Sequence, residues 1–289
     1  MSRRSAARGA TPSGRSTERG NAAAPAEVGA MFDRIAAVYD PMNAVISGFQ
    51  EPRWRRRAVG ATRIRPGMAA IDVATGTGKV AAALWRRAQP GGRVLGVDLS
   101  PRMIGRAERT FAGRPGLSFV VGDALALPAP DASFDAATIA FGMRNLPDYR
   151  AGFAEMQRVV RPGGRVVCLE ISRPRSRLAR LLAAWFDHAV PLIGRLAGQG
   201  EAYAYLVRSV WSYPAPERIA MIMAEAGLAD VRWAGMSGGM VTIHVGTVPG
   251  AGAAPRTGPE PSARTGIRPA ARGDAGVRDV APGGSQSGP

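Results

Sequence analysis

Cysteine is almost absent: Cys168 is the one such residue in a chain of 289. No disulfide can form within the chain, no cysteine-based metal site is supported, and a reducing, cytoplasmic setting fits. Histidine is nearly as scarce, with two residues, His188 and His244. Two are too few for a convincing metal site, so no metal is expected. Lysine occurs once, as Lys79, and the remaining basic charge is arginine. No apolar run reaches the ~18 residues that a spanning helix needs. The N-terminus lacks the apolar stretch of a secretory signal.

What is present suits one mid-sized domain with a real core, since 46% of the residues are hydrophobic. The formal charge is +16. A basic body can favour anionic membrane surfaces or nucleic acid, and a solvated arginine-rich surface explains it equally well. Residues 1–29 and 249–289 are rich in Gly, Pro, Ala, Ser and Arg and show no periodicity, which predicts disordered tails around a domain at 30–248.

Inside those limits, strand-like and helix-like segments alternate. Short apolar runs at Met68–Val73, Arg93–Asp98, Leu117–Val121, Phe134–Phe141 and Arg165–Glu170 read as strands, joined at the end by Ala229–Trp233 and Met240–Val248. Lys79–Arg87, a segment opened by Ser100-Pro101, Tyr149–Val160 and Pro216–Ala226 read as helices. Ser100 is a capping residue and Pro101 suits the first helical position. This alternation predicts an α/β fold with a mostly parallel sheet covered by helices on both faces. Ligands of such sheets sit at the carboxyl ends of the strands. Gly76, Asp98, Asp123 and the stretch Phe141–Asn145 all fall there.

The strand-to-helix turn Asp72-Val73-Ala74-Thr75-Gly76-Thr77-Gly78 names a cofactor class. A phosphate-binding loop is rejected, because Val73 and Val80 stand where glycine and Ser/Thr are required. The dinucleotide fingerprint matches at Gly76, Gly78 and Ala81, with Asp98 as the ribose acid, but a lone match of this kind is weak. S-adenosyl-L-methionine uses the same turn and ribose acid. It adds an acid at the start of the turn and another after the third strand, and Asp72 and Asp123 supply both. Asp98 can accept hydrogen bonds from two ribose hydroxyls, and Asp123 or its adjacent backbone can meet the adenine.

Further stretches carry a resemblance. They are Phe32-Asp33-Arg34-Ile35-Ala36 leading to Tyr39-Asp40-Pro41-Met42-Asn43, Phe141-Gly142-Met143-Arg144-Asn145, Arg158–Gly164, Leu169–Pro174, Tyr203–Leu206 with Ser209, and His244-Val245-Gly246. With these the chain resembles the ubiquinone/menaquinone biosynthesis C-methyltransferases, within the class I S-adenosylmethionine-dependent methyltransferases. The resemblance implies a Rossmann-like, seven-stranded sheet and methylation of a ring carbon of a demethylated quinol, first of all demethylmenaquinol. It places cofactor contacts on Thr77, Asp98, Asp123 and Ala124. A further one falls on Ala140, where the family's usual serine hydroxyl is missing. Lys79 departs too, standing where an acid is common. The segment Phe49–Trp54 lacks a frequent histidine. Other acceptors, such as a polyketide or sugar, and a non-catalytic cofactor-binding protein of the same fold are the alternatives.

For such chemistry the phenol must be favoured as its anion while its ortho carbon lines up with the methyl donor. Arg144 is expected at the developing oxyanion, Asn145 at substrate or cofactor, and Tyr39 and Asn43 as a cap on the pocket. His188 is the candidate base by its ordinary pKa near neutrality, and His244 is expected to be structural. A lipid substrate would suit a peripheral helix. Arg173, Arg175, Arg177 and Arg180 beside Leu181, Leu182, Trp185 and Phe186 form one candidate, and Trp54 with Arg55, Arg56 and Arg57 another. The expected partners are therefore a lipid quinol and an anionic membrane, at its inner face, with no specific nucleic acid. A homodimer is the assembly allowed.

Overall fold

The computed structural model describes residues 24–172 and 200–250. Seven strands form one sheet in the order β3-β2-β1-β4-β5-β7-β6. The strands are β1 (Ala69–Val73), β2 (Arg93–Asp98), β3 (Leu117–Val121), β4 (Phe134–Ala140), β5 (Val160–Ile171), β6 (Ala229–Met236) and β7 (Val241–Thr247). β1 to β5 run parallel, while β7 runs antiparallel to both β5 and β6. The helices are α1 (Pro25–Ile35), α2 (Tyr39–Ile46), α3 (Glu51–Ala61), α4 (Lys79–Ala88), α5 (Pro101–Thr110), α6 (Tyr149–Val159), α7 (Gly200–Ser212) and α8 (Pro216–Glu225).

Central strand β1 is buried at every position, as expected for a strand covered on both faces. On one face α6 and α8 bring Phe153, Met156, Ile219 and Met223 against Ile71, Ile139 and Val166. On the other, α4 and α5 bring Val80, Leu84, Ile104 and Ala107 against Ala70 and Val94. α3 extends that second layer, with Trp54 and Ala58 beside Val167, Leu169 and Ile243. Ser100 caps α5 as its sequence predicts, accepting from the Met103 N–H at 3.1 Å.

Two boundaries differ from the sequence reading. α1 takes in residues 25–29, which composition alone assigns to a tail. Its Val28, Met31 and Ile35 are buried, so an apolar helical stripe is present among small residues. β5 begins at Val160, ahead of the expected Arg165, and takes in Pro162-Gly163-Gly164 as an irregularity opposite Phe134–Ala136. The N-terminal helices α1 and α2 lie over the carboxyl ends of the parallel strands. Asp33 of α1 accepts from the Ser100 hydroxyl and, at 3.1 Å, from the Arg102 N–H. Arg106 of α5 donates to the Ala36 and Ala37 carbonyls, each at 3.2 Å.

Candidate active site

The sheet order reverses between β1 and β4, where crevices open in doubly wound folds. The β1–α4 turn stands at this point. Gly76 and Gly78 have φ of +56° and +80°, a region that favours glycine. A Cβ on Gly78 would lie 2.8 Å from the Phe119 ring, whereas one on Gly76 would meet nothing within 4 Å. Gly78 is thus required by packing, and Gly76 faces open space.

Asp72 lies beneath this turn rather than at a cavity wall. It is 1% exposed, and its two carboxylate oxygens accept from the Thr75 and Thr138 hydroxyls, each at 2.6 Å. Burial pushes its carboxyl up to about 6, against the pull of those hydroxyls. Asp72 therefore holds the turn to β4. Asp98, at the end of β2, accepts from the Gly76 N–H at 2.7 Å and from the Ser100 N–H at 2.9 Å. Burial raises its carboxyl as well, against those two backbone donors. Asp123 accepts from the Leu125 N–H at 2.9 Å.

Gly76, Asp98, Leu99, Asp123, Ala124, Ala140 and Gly142 line one cavity, which Val28 and Gly29 of α1 cover. A second, mainly apolar cavity of about 300 Å³ adjoins it, a volume within the range of small-molecule sites. Its walls include Met31, Ile35, Ile46, Trp54, Leu206 and Val241, with Arg144, Asn43 and Glu51 as polar members. Phe32, Tyr39, Phe141 and Asn145 line both cavities. The two spaces meet at this shared wall.

Arg144 lies in a 3₁₀ turn after β4 and is buried. Its Nη1 donates to the Glu170 carboxylate at 2.6 Å and to the Phe141 carbonyl at 2.7 Å, and its backbone N–H reaches Glu170 at 3.2 Å. Burial works against its charge, but the adjoining Glu170 outweighs this and keeps the guanidinium protonated. Its Nε has no partner among the described residues. Tyr39 is held above the usual phenol range by burial, although Arg144 and Arg55 pull the other way. It is therefore a donor near neutral pH. Asn145 Oδ1 accepts from the Tyr205 hydroxyl at 3.3 Å.

Thr77 and Lys79 line neither cavity. The Thr77 hydroxyl donates to Asp40 at 3.0 Å, and Lys79 Nζ lies 2.8 Å from the same carboxylate oxygen. His244 is 1% exposed in β7, and its Nε2 meets the Pro216 carbonyl at 2.9 Å. Burial drops it to about 4, so it is neutral and structural, as its strand position suggests. His188 and the Arg173–Phe186 segment lie outside the described residues. Trp54 corrects an expectation. It is a buried wall residue whose indole N–H donates to Ser237 at 3.1 Å, not a membrane anchor.

This geometry stands beside close sequence kinship. The model of the ubiE/COQ5 methyltransferase family matches residues 20–248. The chain belongs to that family. A demethylmenaquinone methyltransferase of Thermus thermophilus is 43% identical over 223 residues, covering 76% of this chain and 100% of the relative. One from Staphylococcus aureus strain JH9 is 38% identical over 228 residues, covering 78% and 95%. Among solved structures, a SAM-dependent methyltransferase of Thermotoga maritima, described as a possible histamine N-methyltransferase, superposes with a TM-score of 0.54. It is 18% identical and covers 76% of this chain and 99% of that one. That likeness shows the class I methyltransferase fold.

Within this ubiE/COQ5 methyltransferase, sequence reasoning gave no role to Glu170, Asp40, Glu51, Phe32 or Tyr205, although all but Glu51 stand in the stretches that carry the resemblance. Glu170 had a signal: an acid inside the apolar run Val166–Ile171 must be paired when buried. Asp40 had only its place in the Tyr39–Asn43 stretch and Glu51 had no signal, because their partners Lys79 and Arg55 become meaningful only once the helices are placed.

Proposed function

We propose that this chain transfers a methyl group from S-adenosylmethionine to a ring carbon of a demethylated quinol, demethylmenaquinol first. The carrying observation is the shared wall of Phe32, Tyr39, Phe141 and Asn145, between a cavity edged with carboxylates and one that is apolar. The names of the Thermus and Staphylococcus relatives support the acceptor.

The residues present fit the cofactor. Asp98 spends one hydrogen bond per oxygen on the backbone, which leaves acceptor capacity for ribose hydroxyls. Gly76 leaves its space open for the amino-acid end, and Asp123 with Ala124 borders the adenine position. Ala140 contributes only apolar surface. When bound, the cofactor supplies an electrophilic methyl on a sulfonium.

On the acceptor side, Met31, Ile35, Ile46, Leu206 and Val241 exclude water and suit an apolar ring and tail. Tyr39 donates a hydrogen bond to one quinol oxygen. Arg144, neutralised by Glu170, acts as a fixed donor rather than a free cation. Asn145, oriented by Tyr205 on the wall shared by the two cavities, would hold the ring beside the cofactor. Alignment of this kind contributes ~7–11 kcal/mol in favourable cases.

Peripheral contact with an anionic membrane belongs to the same proposal. Val45, Ser47, Gly48 and Gln50 edge the apolar cavity, and Phe49 between them is 74% exposed. Arg53, Arg56 and Arg57 are exposed on the next helix.

The deciding experiment follows label from S-adenosylmethionine into reduced demethylmenaquinone, with Asp98→Asn in parallel. Labelled product from the parent, and a markedly raised KM for the cofactor in the variant, are expected. Cofactor binding without labelled product would overturn the quinol acceptor.

A further inference from the structure

Methylating a quinol carbon releases one proton overall, so the site needs an acceptor for it. Most ionisable groups near the cavities are unsuited. Arg144 stays charged against Glu170, Tyr39 is held protonated, and Asp98 serves the neighbouring cavity with both oxygens already bonded. His244 and Cys168 are buried in β7 and β5, away from either cavity.

Glu51 differs from all of these. It is the first residue of α3, is 6% exposed, and lines the apolar cavity. Its Oε1 is taken by Arg55, one turn along the same helix. Its Oε2 has no protein partner among the described residues. Lys79 and Asp40 both act on its charge, and Asp40 is tied to Thr77 and Lys79 of the glycine turn. Glu51 therefore joins the apolar cavity to the Asp40–Lys79 pair beside the glycine turn. Tyr39 lines the same cavity, so the phenol donor and the carboxylate border one space.

We propose that Glu51 is the general base that takes the phenolic proton of the acceptor, an assignment resting on the quinol reading above. The O–H bond breaks, its electron pair stays on oxygen, and the proton moves to Glu51 Oε2. The ring carbon ortho to that oxygen becomes the nucleophile for the methyl group. Rearomatisation returns the carbon's own proton to the oxygen through water, and the proton on Glu51 passes to solvent. The groups facing Glu51 are Arg55 on its own helix, Lys79 at the start of α4, and Asp40 and Tyr39 on α2. Burial raises its carboxyl above the ordinary range while Arg55 and Lys79 restrain it. A carboxylate raised in this way is a stronger base than one in water.

The test uses the full chain, labelled S-adenosylmethionine and reduced demethylmenaquinone, with kcat followed across pH. Glu51→Gln should keep cofactor Kd and acceptor KM near the parent values. Its kcat should fall by ~10²–10⁴, the usual worth of general base catalysis. The acid limb of the parent kcat profile should vanish in the variant. An acceptor bearing an electron-withdrawing ring substituent, already ionised at assay pH, should recover most of the lost rate. A Glu51→Gln kcat within a few-fold of the parent would overturn the assignment. So would a weakened cofactor Kd with kcat retained, which would make Glu51 a cofactor ligand. If Glu51→Gln does not fold, Glu51→Asp carries the test: its acid limb must shift with reduced kcat, and an unchanged limb overturns the assignment. A parent that binds cofactor but never methylates the quinol would remove the quinol reading and this base with it, visible before any variant is made.

Discussion

Arg144 and Glu170 show why a single side chain can be structural and functional together. Both are buried, and Arg144 lines the apolar cavity. Removing one partner strands the other, which typically costs ~3–5 kcal/mol. Glu170→Ala should therefore lower Tm sharply. Arg144→Met combined with Glu170→Leu removes both charges and should recover most of that stability while methyl transfer stays low. Thermal unfolding beside the labelled assay separates the two roles, and a double variant with full activity would leave Arg144 purely structural. Asp72 carries a different prediction. Its folded pKa of about 6 lies above the unfolded value of ~3.9, so the folded state binds the proton more tightly. The resulting stabilisation is complete below ~pH 4 and is lost as pH rises through about 6. Asp72→Asn should flatten the fall in Tm over that window. The slope shrinks without vanishing, because Asp98 and Glu51 are shifted in the same direction. An identical slope in parent and variant would contradict the assignment.

At the scale of elements, the site depends on how α1 and α2 are fastened over the sheet. Asp33 ties α1 to α5, and Asp40 ties α2 to the glycine turn through Thr77 and Lys79. The departure at Lys79 thus has a local use: its charge is directed to Asp40 of α2. The Lys79 side chain is 41% exposed, so the pair is worth only ~0.2–1 kcal/mol. Asp40→Asn should leave Tm nearly unchanged and speed cofactor dissociation by up to about fivefold, the rate ratio matching that energy. Stopped-flow release of S-adenosylmethionine measures this, and an unaltered off-rate would show that α2 does not gate the cofactor cavity.

For the whole molecule, the apolar cavity and the exposed loop that edges it suggest how a lipid acceptor arrives. Phe49 has φ of +60° and is turned outward, an unfavourable state for a bulky apolar residue unless something is gained by it. Beside it stand Arg53, Arg56 and Arg57, whose charge suits an anionic surface. Phe49→Ser should weaken co-sedimentation with anionic liposomes and slow methylation of vesicle-borne acceptor. Turnover of detergent-dispersed acceptor should remain at the parent level. Equal losses in both formats would place Phe49 in the cavity's function rather than in docking. Among the described residues, no helix is long and apolar enough to cross a membrane.

The sequence by itself determined the alternation of strands and helices, the glycine turn, and the strand-end acids Asp98 and Asp123. These are local features: hydrophobic period, capping and turn chemistry act over a few residues, so a linear reading reaches them. It also marked Phe141–Asn145 and Tyr39–Asn43 as one functional set through family resemblance. Tertiary structure alone decided which polar groups meet. It set Asp72 beneath the turn, paired Arg144 with Glu170 across β4 and β5, and joined Asp40 to Lys79 across α2 and α4. It also buried Trp54 and turned Phe49 out. Such pairings are separated by up to tens of residues, and they depend on which helix face the sheet accepts. Burial and partner choice are properties of the packed molecule, and no local pattern encodes them.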